Sequence, residues 1–247
     1  MTRFDPQPAA DVIVRNRRAG RAEMLPDGHR PTSWDEAYAV QDAVFAQLGA
    51  VGGYKVGPGV IPSFAPLLAD MIFASGATVT VPSTLPVKIE AEIAFRVPHG
   101  FADGLPDPKA LGQHVELVPL IEIMAVHLPK DENPSAFDVM AAGANNHGVT
   151  IGTPIADWQD TDWATLDIAL RIDGKPIYVT RVPDIDALLE LLHWMLDRLL
   201  RTGVGVPPGA IITTGALNGS TVIPGDAHIA VDYGRCGMVE TRLVAGS

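Results

Sequence analysis

The stretch Val87-Lys-Ile-Glu-Ala-Glu-Ile-Ala-Phe95 constrains this chain more than any other. Side chains of a β-strand point alternately to its two faces. Ile89, Ala91, Ile93 and Phe95 therefore make one apolar face, and Lys88, Glu90, Glu92 and Ala94 share the other. Two neighbouring carboxylates on one face repel, and burial raises the cost, so positive charge is needed nearby. A second run, Val118-Pro-Leu-Ile-Glu-Ile-Met-Ala-Val126, carries a single acid, Glu122, in a strand apolar on both faces. A buried carboxylate without a partner is expensive. Three carboxylates converging from two strands suit a hard divalent cation, Mg²⁺ or Mn²⁺, which prefers oxygen ligands and keeps waters to exchange. The pattern also admits plainer arrangements. Glu90 and Glu92 could line a solvated sheet edge beside Lys88, and Glu122 could be a salt-bridged core acid. Glu116 fits the alternation of its strand but has more polar neighbours and is the poorer ligand.

The surroundings predict α+β architecture. Asp11–Arg18 reads as helix, followed by a break from Pro26 to Thr32. Ser33-Trp-Asp-Glu36 has capping-box form, with the Ser hydroxyl and the Glu carboxylate each satisfying an end amide. Ala37, Val40, Val44 and Leu48 follow at helical spacing, and Gly49 to Gly53 ends that helix. Short β-branched runs then predict strands at 54–56, 78–81, 87–97, 115–125, 149–151, 167–172, 210–214, 228–233 and 239–244. Asp173-Gly-Lys reads as a hairpin turn. One long helix, led in by Pro183-Asp-Ile-Asp and running through Leu200, interrupts the strands; its acids come first and its arginines last, as the helix dipole favours. Gly203 stops it. The expected division is an N-terminal helical or α+β region over residues 1–75 and a β-rich domain with one long helix over 76–247. No Gly-x-Gly-x-x-Gly or Walker loop follows a strand.

Composition narrows the function. A formal charge of −11 argues against nucleic acid, which needs a basic face, and against a polybasic membrane contact. An anionic substrate stays possible, because a bound dication can dominate the field in a pocket. The single cysteine, Cys236, excludes an internal disulfide and reads as inert. No apolar run reaches the 18 residues of a membrane span and the N-terminus has no leader pattern, so the expected location is the cytoplasm.

Seven segments, in order, resemble the 2-oxopent-4-enoate hydratase and 4-oxalocrotonate decarboxylase family of the fumarylacetoacetate hydrolase superfamily. They are Glu36-Ala-Tyr-Ala-Val-Gln41, Gly53-Tyr-Lys-Val-Gly57, Leu68-Ala-Asp-Met71, the two acid-bearing strands around Glu90 and Glu122, and the closing segments Gly209–Gly215 and Pro224-Gly-Asp226. The resemblance implies a β-rich roll or distorted barrel behind a small helical N-terminal region. It implies Mg²⁺ or Mn²⁺ on Glu90, Glu92 and Glu122, chelating a small 2-oxo acid from aromatic-compound catabolism. It also implies a homo-oligomer, with association with a pathway enzyme as a further expectation. Lys55 is the first choice for a non-ligand catalytic residue, orienting the substrate carboxylate or relaying a proton. Asp70 is an acid–base candidate or a structural anchor. Thr213, Thr214 and Gly215 are expected to bind substrate, with His147 a further candidate.

The chain departs from the family in two places. Pro58-Gly-Val follows Lys55-Val-Gly where the family has Leu-Thr-Ser, and the family's Asp-Asn pair falls on Ala142 and Gly143. Asn145, Asn146 or His147 could substitute for that pair, or serve only as turn residues. His114, His127, His193 and His228 show no ligand spacing and read as structural. The leading expectation is a hydro-lyase that adds water to a 2-hydroxy-2,4-dienoate, through its 2-oxo-enoate form, to give a 4-hydroxy-2-oxo acid. A 2-oxo-3-enedioate decarboxylase or C–C bond hydrolase on the same scaffold is the alternative, and a non-catalytic partner subunit keeping the fold is a third.

Overall fold

The computed structural model describes residues 4–59, 62–101, 104–182, 184–223 and 225–246. Val60, Pro183 and Pro224, which figure in the motifs above, lie outside the described residues.

Two helices come first, α1 (Gln7–Ala19) and α2 (Trp34–Leu48). Ala37, Val40 and Val44 are fully buried, so the spacing read from the sequence is the packed face of α2. The cap differs from the expected box in one half. Ser33 Oγ accepts from Glu36 N, but the Glu36 carboxylate turns back to the amide and hydroxyl of Thr32, both at 2.7 Å. The full reciprocal box sits elsewhere, at Ser135 and Asp138. Buried Asp138 also receives the Arg30 guanidinium at 2.5 Å and is thereby committed to structure.

The strands follow: β1 (Val51–Gly57), β2 (Ser63–Leu68), β3 (Ile72–Ala74), β4 (Thr78–Pro82), β5 (Val87–Val97), then a short α3 (Pro108–Leu111) and β6 (Glu116–Ala125). After α4 (Ala136–Ala141) come β7 (Asn146–Ile151), β8 (Ile168–Ile172) and β9 (Lys175–Thr180). The long helix α5 (Ile185–Arg201) precedes β10 (Ala210–Ala216), β11 (Thr221–Ile223), β12 (Ala227–Asp232) and β13 (Met238–Gly246). The expected glycine break after α2 is shorter than read, because Gly52 and Gly53 belong to β1. A Cβ on Gly53 would lie 2.1 Å from the Ile211 carbonyl oxygen, so the glycine permits β1 to pair with β10. β2, β3 and β11 are not among the expected strands, and β9 is expected only through its hairpin turn; β3 and β11 have three residues each, and β2 contains Pro66.

One mixed sheet of eight strands runs β2-β1-β10-β5-β6-β7-β3, with β11 added beside β5, and curls into a half-barrel. A five-stranded sheet, β4-β13-β12-β8-β9, packs with it. The large sheet thus draws strands from both sides of residue 75, while α1 and α2 share a separate small core with Leu68, Leu128 and Ala141. The main core holds the apolar face of β5 predicted above: Ile89, Ala91, Ile93 and Phe95 are all fully buried in it. Among the described residues no helix is long and apolar enough to cross a membrane.

Candidate metal centre

β5 and β6 pair antiparallel in a register that sets Glu90 directly opposite Glu122, while Glu92 lies two residues along the same face. One oxygen from each of the three carboxylates falls within 4.8 Å of the others. Glu92 and Glu122 are buried, 1% and 0% exposed, and Glu90 is half-buried. Leu120, Val118, Val149 and Ala94 form an apolar wall on the same side of the sheet.

The compensating cation is Lys55, not Lys88. Lys55 Nζ lies 2.6 Å from Glu122 Oε1 and 3.3 Å from the Ala144 carbonyl, whereas Lys88 reaches the Ser220 hydroxyl at 3.4 Å. Burial disfavours the Lys55 charge, yet the attraction of Glu122 and Glu92 outweighs it and raises the pKa, so the ammonium persists. Glu92 is pushed well above the carboxylate range by burial first and by Glu122 second, with Lys55 opposing. Glu90 is raised for the same two reasons. Asn146 adds a hydrogen bond from Nδ2 to Glu122 Oε1 at 2.9 Å. Even so, both oxygens of Glu92, Glu122 Oε2 and the Thr213 hydroxyl are buried with no hydrogen-bond partner among the described residues. Three carboxylates against one ammonium leave a formal charge of −2 in the pocket (three negative, one positive). Buried polar atoms are normally satisfied, and orphaned carboxylate oxygens converging on one point fit the donor set of a hard dication.

The other candidates divide. Thr213 is fully buried, and the register sets it between Lys55 and Ala94. Thr214 turns away and donates to the Ile93 carbonyl at 2.7 Å, so its hydroxyl is committed to the backbone. Gly215, at φ 93°, lies in the bulge where the register shifts between Thr213 and Ala216. Asp70 is exposed on a turn between β2 and β3 and has no side-chain hydrogen bond or ion pair among the described residues.

His147 is a correction. Strict alternation from Val149, which opposes Glu122, would bring His147 to the carboxylates. A bulge shifts the register between Ile123 and Met124, so that Asn146 opposes Met124. Asn146 therefore takes the position beside Glu122, and the His147 Nε2 sits 3.1 Å from the Thr80 carbonyl on β4. Ahead of β7, Gly143, Ala144 and Asn145 all have positive φ, at 78°, 50° and 60°. This left-handed turn delivers the Ala144 carbonyl to Lys55, a conformation that costs an alanine roughly 1–2 kcal/mol.

The remaining acids and histidines stay outside. Glu116 pairs with Arg96, and His228 with Glu240 at 3.2 Å. His127 is buried away from the cluster. Tyr233 is buried beneath the cluster and donates to the carbonyls of Glu92 (2.5 Å) and Leu120 (3.3 Å), fixing both acid-bearing strands from below.

The fold and site together define a β-rich class built on a curled mixed sheet that carries a three-carboxylate cluster on one face. Within it, the chain belongs to the fumarylacetoacetate (FAA) hydrolase C-terminal family, which matches residues 58–244. It is 25% identical over 245 residues to a 2-keto-4-pentenoate hydratase of Paraburkholderia xenovorans strain LB400 and to 2-keto-4-pentenoate hydratase 3 of Pseudomonas putida, covering 92% of this chain and 90% of each relative. Among solved structures, 4-oxalocrotonate decarboxylase from Pseudomonas putida G7, complexed with magnesium and adipate, matches with a TM-score of 0.80 and 18% identity over 99% of both chains. Fumarylpyruvate hydrolase from Pseudomonas aeruginosa, in complex with Mn²⁺ and pyruvate, matches with a TM-score of 0.56 and 18% identity, over 78% of this chain and 89% of that one.

Proposed function

We propose that this chain is a divalent-metal-dependent hydro-lyase that adds water to a 2-hydroxy-2,4-dienoate, through its 2-oxo-enoate form, to give a 4-hydroxy-2-oxo acid. The observation that carries the proposal is the set of orphaned, buried oxygens of Glu92 and Glu122 facing Glu90 across paired strands. The two hydratase relatives aligned over most of the chain support the reaction type.

Glu90, Glu92 and Glu122 would hold Mg²⁺ or Mn²⁺, which would supply Lewis-acid chemistry toward the carbonyl of a 2-oxo acid. The chain's own groups prepare for that. Lys55 and Asn146 both occupy Glu122 Oε1, which holds the carboxylate in place and leaves Oε2 free as a ligand atom. The Lys55 ammonium, 15% exposed, can also face a substrate carboxylate and steady the negative charge that develops during ketonisation. The free Thr213 hydroxyl offers a second donor. Leu120 and Val149 exclude bulk water from the floor, which strengthens each of these interactions.

Self-association belongs to the same proposal; exposed Ile177 and Val179 on the edge strand β9 support it, and light scattering tests it. The decisive assay supplies a 2-hydroxydienoate with Mg²⁺ and follows its absorbance together with carbon dioxide. Loss of absorbance without carbon dioxide is the expected result, and release of carbon dioxide from a 2-oxo-3-enedioate would favour the decarboxylase instead. Glu122→Gln keeps the shape but removes a ligand charge, and turnover should fall at least about 100-fold, or roughly 3 kcal/mol. Full activity of that variant at limiting Mg²⁺ would refute the assignment.

A further inference from the structure

Arg17, in the last turn of α1, is a cation without an acidic partner. The arginines around it are accounted for: Arg15 and Arg21 both pair with Glu23, and Arg18 donates to the Gln47 carbonyl at the surface. Arg17 meets no carboxylate among the described residues, and burial lowers its pKa to about 10, which still leaves it charged at neutral pH. Desolvating a charge without a counterion is costly, so the partners it has instead are informative. Nη1 donates to the Ala142 carbonyl at 3.1 Å and Nη2 to the Asn146 carbonyl at 2.7 Å. The guanidinium lies over the Phe45 ring, 5.6 Å from its centroid. The two carbonyls flank the left-handed turn Gly143-Ala144-Asn145.

That turn is held from outside. Gly143 and Ala144 have no polar side chain to fix it from within, and a Cβ on Gly143 would lie 2.9 Å from Phe45 Cζ, so α2 closes on it as well. One flank of the carboxylate cluster hangs on it. The Ala144 carbonyl receives Lys55, and Asn146, whose carbonyl Arg17 grips, turns its amide onto Glu122 Oε1. Resting on the metal reading above, we propose that Arg17 is a positioning residue of the metal centre: its fork ties the Ala142 and Asn146 carbonyls together and, through Asn146, fixes the Glu122 carboxylate. The first helix thereby acts on the centre without touching it. The fork is essential to this role, because a lysine is a point charge without the planar pair of donors that spans two carbonyls.

The test is calorimetric titration of the full chain with Mg²⁺, for the wild type, Arg17→Met, Asn146→Ala and the double variant. Methionine keeps an apolar stem over Phe45 and removes the donors. Each single substitution should weaken Mg²⁺ binding about tenfold, as loss of a group supporting a metal ligand does, and the double variant should also stay near about tenfold, because both changes act on one bond to Glu122. Losses that multiply to about a hundredfold would show two independent effects and overturn the proposal. Wild-type affinity in Arg17→Met would overturn it too. Arg17→Lys keeps the charge without the fork and should also bind Mg²⁺ more weakly than the wild type; full affinity there means that charge alone matters and overturns the role of the fork. Folding is checked by circular dichroism, and Arg17→Lys replaces Arg17→Met in the cycle if the latter does not fold. These outcomes strike the positioning role alone. Failure of the wild type itself to bind Mg²⁺ overturns the metal reading and the positioning role together.

Discussion

The two faces of β5 are built from alternate residues of one strand and obey opposite rules. On one, Ile89, Ala91, Ile93 and Phe95 are fully buried in the main apolar core. On the other, Glu90 and Glu92 meet Glu122, and three of the buried oxygens have no partner. The first face stabilises the fold. The second destabilises it for the sake of a ligand, since burying charge without a partner costs more than any polar contact there returns. A period of two lets both coexist 3–4 Å apart along the chain, because neighbouring residues never share a face.

The comparison can be broken from either side. The largest effect belongs to the apolar face: Phe95→Ala removes a fully buried ring that packs edge-on against Trp158 at 5.8 Å. It should cost about 3–5 kcal/mol in chemical denaturation. Next is pH, probed at a buried polar group outside the cluster. Burial, with Arg17 and His147 adding to it, lowers the His127 pKa from 6.5 to about 3. The unfolded chain therefore binds a proton there that the folded chain refuses, so stability falls as pH drops from about 6.5 toward 3. The difference between the wild type and His127→Leu should change by up to about 3 kcal/mol between pH 7 and pH 4. An unchanging difference would mean that His127 keeps its proton when folded.

The acidic face gives a smaller effect with the opposite sign. Glu92→Gln in metal-free protein should raise the unfolding free energy at neutral pH by about 1–3 kcal/mol, because burial lifts the Glu92 pKa well above its unfolded value and folding must there take up a proton that Gln does not need. The same variant should lose the thermal shift that Mg²⁺ gives the wild type. Destabilisation of the metal-free variant would show instead that Glu92 is held by contacts of its own. Smallest of all, Glu116→Ala breaks only the half-exposed pair with Arg96 and should change stability by less than about 1 kcal/mol, with no loss of metal binding.

Much of this was legible in the chain itself. Alternation alone separated the faces of β5 and singled out Glu122, because a lone acid in an apolar strand has few reasons to be there. Helical spacing gave the packed side of α2, and the charge order gave the polarity of α5 between its Asp184 cap and Arg201. The compensating lysine was less accessible. Lys88 is the local choice, yet Lys55 occupies the site because β1 pairs with β10, a contact spanning more than 150 residues that the small size of Gly53 permits.

Strand periodicity, and with it which residues could share a face, is a property of the local backbone and was therefore written in the sequence. Register is not. One extra residue in β7 sent His147 to the Thr80 carbonyl and turned Asn146 onto Glu122, and another in β10 aligned Ala216 with Glu92. A bulge reverses the facing of the residues beyond it and is stabilised by hydrogen bonds to partner strands distant in sequence, so only the assembled sheet could decide it.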